Sequence, residues 1–417
     1  LATPGLFATF WPQKVDNLNF MKKTNFTNGY KDFLFQRLPE SLKNVSLKEE
    51  AGFVIDAKKK AFNFFEKQSL PRFKHEFLAK LNWPEQFKEI HPEITGLDQP
   101  GVTYYSAREA VEQTADLIKD KFLALDYSLA RDPLLAWLSY ISRLAGLIVI
   151  DDKANLKQPV TILNNSKDSF LNYFIIIGGQ DSQFEIVENN QLKNKTLSGQ
   201  LIDLFLDKNS KVTYTAFDQN SQESQFLNYR RAQLNDQAQI EWNNALFGSG
   251  LTKDFIASYL DHPRSRSEIK NVYLSKNNQN YYIDHHNWHR DAETKSNMLS
   301  KGVLLDESLA NYTGLIYMDG NSSQADGHLK SDTLLMGDKV INGNIPGLEI
   351  HNSQVQASHA ATSSEVNPDH LFYCLSRGLT EKNAKQLMAE GLLASVYSQF
   401  HNQDIIEKIE KRISAKG

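Results

Sequence analysis

The chain has 417 residues, with 46 lysines and arginines against 50 aspartates and glutamates, a formal charge of -4 at pH 7. That length exceeds what a single hydrophobic centre serves, so two or three packing units are expected, and the balanced charge gives no electrostatic case for nucleic acid or a polybasic membrane surface. One cysteine excludes an internal disulfide framework and any all-cysteine metal site built from this chain alone, which makes a reducing, cytoplasmic compartment the expectation.

Residues 1–45 are aromatic-rich and irregular, with Trp11, Phe20, Phe26, Tyr30, Phe33 and Phe35 spread among turn residues, the composition of an arm that packs on something. A first helix is expected from Ser46, because Ser46 and Glu49 have capping-box spacing, and it runs through VIDAKKKAFNFF until LPRF interrupts it. The segment PRFKHEFLAKLNW reads as a solvated, Trp-anchored turn. Ser106 and Glu109 repeat the capping-box spacing ahead of a helix through EQTADLIKDKFLAL, and Asp132 with Pro133 starts another over LLAWLSYISRLAG. Residues 1–145 are therefore expected as an N-terminal arm and helical region, mainly helical over 46–145. No apolar run approaches the roughly 18 residues of a spanning helix, and the N-terminus has no basic start followed by an apolar core, so no integral membrane association is expected.

From Leu147 the chain breaks into LIVI, VTIL, FLNYFIII, FEIV, VTYTAF, YYIDHH, GLIYM and TLLM, mostly four- to eight-residue pieces rich in β-branched and aromatic residues. GGQDSQ, DKNS, SKNNQN and MDGNSSQ separate them as sharp turns. Helical insertions are scarce, although DQAQIEWNNALFGSG is ambiguous, so alternating strand and helix in a doubly wound sheet is disfavoured. Short, unevenly spaced strands with amide-rich turns favour a β-solenoid, with coils of roughly 20 to 25 residues, over a sandwich or barrel. Period alone leaves a sandwich open. Residues 146–366 are expected as this core.

Near Ser364 the strand texture stops. Asn367 and Pro368 supply the cap and first turn of a helix over PDHLFYCLS, ended by Gly378, with Arg377 suited to its negative end. Thr380 starts another helix, whose apolar positions include Ala384, Leu387, Met388, Leu392 and Val396, and Ile405, Ile406, Ile409 and Ile413 suggest a last one. Residues 367–417 are expected as a C-terminal helical region.

Chemistry-bearing residues are few. His285 and His289 would share one strand face with His286 pointing away, so a metal there would need another ligand and a turn or interface role is expected. Cys374, among Leu371, Phe372 and Leu375, is expected to be buried and inert. There is no G-x-x-x-x-G-K-S/T phosphate loop, so ATP hydrolysis is not expected of this chain. A carbohydrate-active or carbohydrate-binding solenoid is an alternative, but the acids form no recognisable catalytic pair.

From about Tyr281 to Phe400 the ordered set YYIDHHNWHR, GLIYMDGNSSQADGHLKSDTLLMG, SHAAT, a polar spacer, LFYCLSRG and a following helix resembles the SufB/SufD family of the iron-sulfur cluster assembly machinery. The likeness is weaker over 147–280. It implies a mainly β protein, a right-handed parallel β-helix with N-terminal and C-terminal α-helical regions. It further implies a non-enzymatic scaffold that pairs with a SufB-like subunit and docks a SufC-like ATPase, with a homodimer possible in isolation. The SufB-like branch carries a cysteine after GDK, whereas here Gly337, Asp338 and Lys339 are followed by Val340, whose isopropyl group cannot become a thiolate. His359 in SHAAT matches the SufD-like branch, although the FYC form at Cys374 is common in the other. The resemblance implies that His359 works at the partner interface as the cluster-assembly and iron ligand, with a transient cluster or iron there and none stably bound by this chain alone. It also implies a partner surface on the C-terminal helices, for which Arg377, Gly378, Leu387 and Leu392 are the candidates.

Overall fold

The computed structural model describes residues 34–43, 50–67, 74–125 and 132–414. Trp11, Phe20, Phe26, Tyr30 and Phe33, and the Ser46–Glu49 capping box, lie outside the described residues.

The N-terminal helices are α1 (Glu40–Lys43), α2 (Gly52–Glu66), α3 (Lys74–Ala79), α4 (Ala107–Gln113), α5 (Ala115–Ile118) and α6 (Pro133–Ile141). Two of their caps were legible. Ser106 accepts from the Glu109 amide while the Glu109 carboxylate accepts from the Ser106 amide, and Asp132 accepts from the Leu134 amide ahead of Pro133. Three expectations are corrected. The segment PRFKHEFLAKLNW, expected as a turn, holds the helix α3, and β1 (Glu93–Thr95) and β2 (Val102–Ser106) lie between it and α4. The helix expected through EQTADLIKDKFLAL is the two short pieces α4 and α5. The helix over LLAWLSYI stops at Ile141, and RLAG already belongs to a strand, because its continuation LIVI pairs into the sheet.

That strand is β3 (Arg143–Ile150), followed by β4 (Val160–Asn164), β5 (Leu171–Gly178), β6 (Gln183–Asn190), β7 (Leu197–Leu206), β8 (Lys211–Asp218) and β9 (Gln225–Leu234). Next come β10 (Gln239–Leu246), β11 (Leu251–Leu260), β12 (Arg266–Ser275), β13 (Asn280–His289) and β14 (Lys295–Leu304). The last are β15 (Leu309–Met318), β16 (Asp326–Leu335), β17 (Ile341–Ile350) and β18 (Gln356–Glu365). Even-numbered strands from β4 to β18 form one sheet and odd-numbered strands from β3 to β17 the other, so every coil gives one strand to each. All of these pairs are parallel. Only β1 on β4 and β2 on β3 are antiparallel, closing the N-terminal end.

This is a parallel β-solenoid, mainly β, with helices at both ends. Its coils are longer than the 20 to 25 residues expected: register partners such as Gln225 and Leu251, Leu251 and Asn280, and Leu309 and Ile341 stand 26 to 32 residues apart. Two wide faces with strands of up to ten residues replace a tighter coil of short ones. The segment DQAQIEWNNALFGSG is strand β10. Inward side chains stack coil on coil, as in the column Ile186, Tyr214, Trp242, Ile269, Met298 and Leu329, all buried. Each coil thus covers the apolar face of the next.

Part of that interior is ionic. Arg230 on β9, fully buried, donates from Nε to Glu188 Oε2 at 2.7 Å and from Nη1 to Asp254 Oδ1 at 2.8 Å, with Asp218 at 4.0 Å. Burial pushes the Asp218 carboxyl up to about 7. A file of amides and hydroxyls continues toward the C-terminal end, Asn244 Nδ2 donating to Asn271 Oδ1 and Asn271 Nδ2 to Ser300 Oγ, at 2.9 and 2.8 Å. Arg231 faces the other way and grips Asp203 with two hydrogen bonds of 2.8 Å, while its Nη1 donates to the Leu125 carbonyl, tying the N-terminal layer to the odd sheet.

The C-terminal helices are α7 (Pro368–Ser376), α8 (Glu381–Tyr397) and α9 (Gln403–Ser414). Ala389, Leu393, Val396, Ile405, Ile409 and Ile413 bury the outer face of the even sheet at Phe217, Ala245, Val272 and Val303. Removing residues 379–417 would uncover that apolar face, so α8 and α9 are part of the folded body and not a detachable appendage.

Candidate functional site at the open end of the solenoid

The N-terminal end of the solenoid is closed by antiparallel strands, whereas at the other end β17 and β18 each have a strand neighbour on one side only among the described residues. Parallel strands ending this way leave a row of unpaired backbone groups and an uncovered cross-section, a surface proteins ordinarily cap or pair. Here nine of the ten residues of β18 are exposed, and Ile341 and Ile345 on β17 are 49% and 55% exposed.

His359 stands within this cross-section. Its register partner is Leu329, so it occupies the inward column that runs through Trp242 and Met298, and with no coil beyond it the imidazole is exposed. The inward row of β17 facing it includes Asn342 and Asn344, whose register partners Ala310 and Tyr312 are buried in the interior. Asn342 Nδ2 donates to Ser363 Oγ at 2.6 Å across the mouth, and the Oδ1 atoms of both asparagines are buried without a hydrogen-bond partner. The mouth therefore presents an imidazole beside half-buried asparagines and apolar edges. Among the described residues, no three His, Cys, Asp or Glu side chains gather to hold a metal ion.

Val340 is in the turn between β16 and β17, half-buried against the cluster of Tyr273, Tyr281, Ile283 and Tyr312. An apolar group fits that environment.

The helix α7 leads away from β18. Asn367 accepts from the amides of Asp369 and His370, and Gly378 at φ +87° closes the other end, its amide donating to the Leu375 carbonyl and that of Leu379 to Cys374. Arg377 is exposed, its guanidinium 5.2 Å from the Tyr373 ring centroid. Although well capped, α7 has no buried residue, and Phe372 and Tyr373 are 72% and 59% exposed. Cys374 is accordingly half-buried, not enclosed as expected, because the apolar side of its helix has no floor among the described residues. Leu387 on α8 is 53% exposed, while Leu392 is half-buried against the helix-to-sheet cluster.

The β13 histidines do alternate, but in a strand and not at a turn. His285 and His289 face inward and His286 outward, all three buried. His285 Nε2 meets Asp254 Oδ2 at 3.1 Å, joining the Arg230 network, and His289 is held between Thr294 Oγ1 and Ser296 Oγ at 2.8 and 2.7 Å. Burial pushes the His289 imidazole down to about 3, against roughly 6.5 unfolded, so the unfolded chain takes up the proton first. Its contribution to stability is complete above about pH 6.5 and is lost as pH falls toward about 3, by up to about 1.4 kcal/mol per pH unit. His289→Asn is expected to be less stable at pH 7.5, from the lost hydrogen bonds, with a flatter dependence between pH 6.5 and 4; denaturant midpoints across that range check it.

Arg230 and its carboxylates escaped the sequence reading. The available signal was the Arg-Arg pair in QFLNYRRAQL, which on a strand must send one guanidinium inward.

Residues 161–392 match the family described as SUF system FeS cluster assembly, SufBD core domain. The chain is similar to the chloroplastic iron-sulfur cluster assembly SufBD family protein ABCI8 of Arabidopsis thaliana, 23% identical over 321 residues, 74% of this chain and 58% of that one. It thus spans under two thirds of the plant protein. A SufBD family protein of Synechocystis is 22% identical over 93% of this chain and 83% of its own length. The iron-sulfur cluster assembly protein SufD of Bacillus subtilis is 23% identical over 77% and 75%. No helix among the described residues is long and apolar enough to cross a membrane.

Proposed function

The chain belongs to the SufBD family of iron-sulfur cluster assembly proteins, and on that premise we propose that it is a SufD-like scaffold subunit. In this reading it pairs through the open end of its solenoid with a SufB-like chain and offers its C-terminal helices to a SufC-like ATPase. The observation that carries the reading is the uncovered last coil, with exposed isoleucines beside an inward-facing His359. A second solenoid end is the natural cover for it, since that partner brings unpaired strand edges and an inward row of its own.

The nascent iron-sulfur cluster is cargo in this scheme. His359 is the nitrogen ligand this chain supplies: a neutral imidazole lends a lone pair without adding negative charge beside thiolates. The thiolates come from the partner, since Val340 stands where the SufB-like branch has its cysteine. ATP hydrolysis likewise belongs to the ATPase. Exposed Phe372, Tyr373, Arg377 and Leu387, with Gly378 and Leu392 shaping the helices behind them, form the ATPase surface.

Pairing is tested by Ile341→Glu with Ile345→Glu, which puts two charges on the exposed edge without touching the interior. Co-expressed with a SufB-like protein, the wild type should purify as a complex and the variant as a folded single chain. Undiminished complex formation would contradict the proposed interface.

A further inference from the structure

A second region of the surface runs along the turns from odd to even strands. At the turns from an odd strand into an even one between β3 and β16, a residue adopts positive φ, including Asn209, Gln237, Arg264, Glu293 and Gln324 at 55 to 61°. Beside that row lies the row of strand-opening residues Lys211, Gln239, Arg266 and Lys295, stacked in register. Both rows, Lys211 apart, line an open groove of about 390 Å³.

Its charges are unevenly settled. Arg264 is tied to Asp236, Nη2 to Oδ1 at 2.8 Å. Arg266 and Lys295, exposed direct register partners on adjacent strands, have no carboxylate within 4.0 Å among the described residues. Asp326, next in register after Lys295, is taken by His328 at 2.8 Å, and Glu293 lines the groove from the corner row without pairing either cation. Neighbouring parallel strands run about 4.8 Å apart, so two cations are held side by side in a position where like charges weaken a sheet. Among the described residues Glu293 is the one acid lining the groove and it pairs with neither cation, so a bound anion would relieve the repulsion.

We propose that this groove binds a phosphate group, with Arg266 and Lys295 as its charged ligands. A guanidinium fork takes two oxygens of a phosphate and an ammonium a third, and a dianion of that size spans cations at strand spacing. The side-chain amides of Gln239 and Gln324 line the groove beside the pair and supply neutral donors for the remaining oxygens, while those of Asn209 and Gln237 already donate to Asp181 and Asp236. None of the lining side chains is aromatic, so there is no platform for a nucleobase or flavin ring, and recognition rests on the phosphate itself. This inference goes beyond the scaffold reading and does not depend on it.

The test is calorimetric titration of the full-length chain at low ionic strength, with inorganic phosphate in one arm and glycerol phosphate in the other, on wild type and on Arg266→Gln with Lys295→Gln. Saturable binding by wild type in either arm is expected, and the arm that binds more tightly identifies free phosphate or a phosphate monoester as the natural class. The double variant should bind roughly tenfold more weakly or not at all. Its melting temperature in phosphate-free buffer should equal or exceed that of wild type, because a repulsion has been removed. Absence of saturable binding in both arms, unchanged affinity in the double variant, or a lowered melting temperature without phosphate would each overturn the proposal, the last by making the pair a structural element.

Discussion

Arg230→Met is expected to destabilise the protein by about 3–5 kcal/mol, the range for removing one member of a buried ionic cluster. The side-chain volume is nearly kept, so the loss is electrostatic. Glu188 and Asp254 lose a guanidinium at 2.7 and 2.8 Å, and Asp218, already pushed up to about 7 with that cation nearby, loses it too. Three carboxyl groups are then enclosed without the guanidinium that paired them, and the folded state relieves them by taking up protons the unfolded chain releases more readily. The variant's deficit should therefore be largest above about pH 7 and shrink as pH falls, which denaturant titrations of both proteins at several pH values would show. A pH-independent deficit under about 1 kcal/mol would mean that the interior solvates these carboxylates in another way.

The second large effect is expected at the mouth of the solenoid. His359→Ala removes an exposed side chain that packs on nothing beyond it, so stability and subunit pairing should change little, while cluster formation on the assembled complex should fall severely. That separation follows from position: His359 ends an inward column in register with Leu329, where loss of the ring opens no cavity inside the protein. By contrast Cys374→Ala, on a helix with no buried residue, should leave cluster formation nearly unchanged.

These two sites differ in how far the sequence disclosed them. The caps at Ser106, Asp132, Asn367 and Thr380 were legible because each is a bond between a side chain and backbone two or three residues on. The solenoid class was legible from strand texture and turn chemistry. Strand lengths were not, because inward-facing Asp254, His285 and Asn244 interrupt runs that apolar content alone would join. The Arg230 cluster was invisible for the same reason: its partners are 42 and 24 residues away, brought together only by coil register. For α7, an amphipathic pattern reads alike whether its apolar side packs on its own chain or awaits another, so the exposure of Phe372 and the half-burial of Cys374 appear only in three dimensions. His359 was reached through the resemblance, and the structure adds that it faces out of the solenoid's open end.

The most direct measurement is reconstitution of the complete complex, this chain with a SufB-like partner and a SufC-like ATPase, using iron and sulfide. Bound iron and acid-labile sulfide, and transfer to an acceptor protein, are compared for wild type and His359→Ala at equal subunit content. The scaffold account predicts a matched complex in which the variant assembles and transfers far less cluster. Equal cluster content and equal transfer by the two complexes would contradict it and leave His359 a surface residue of the last coil.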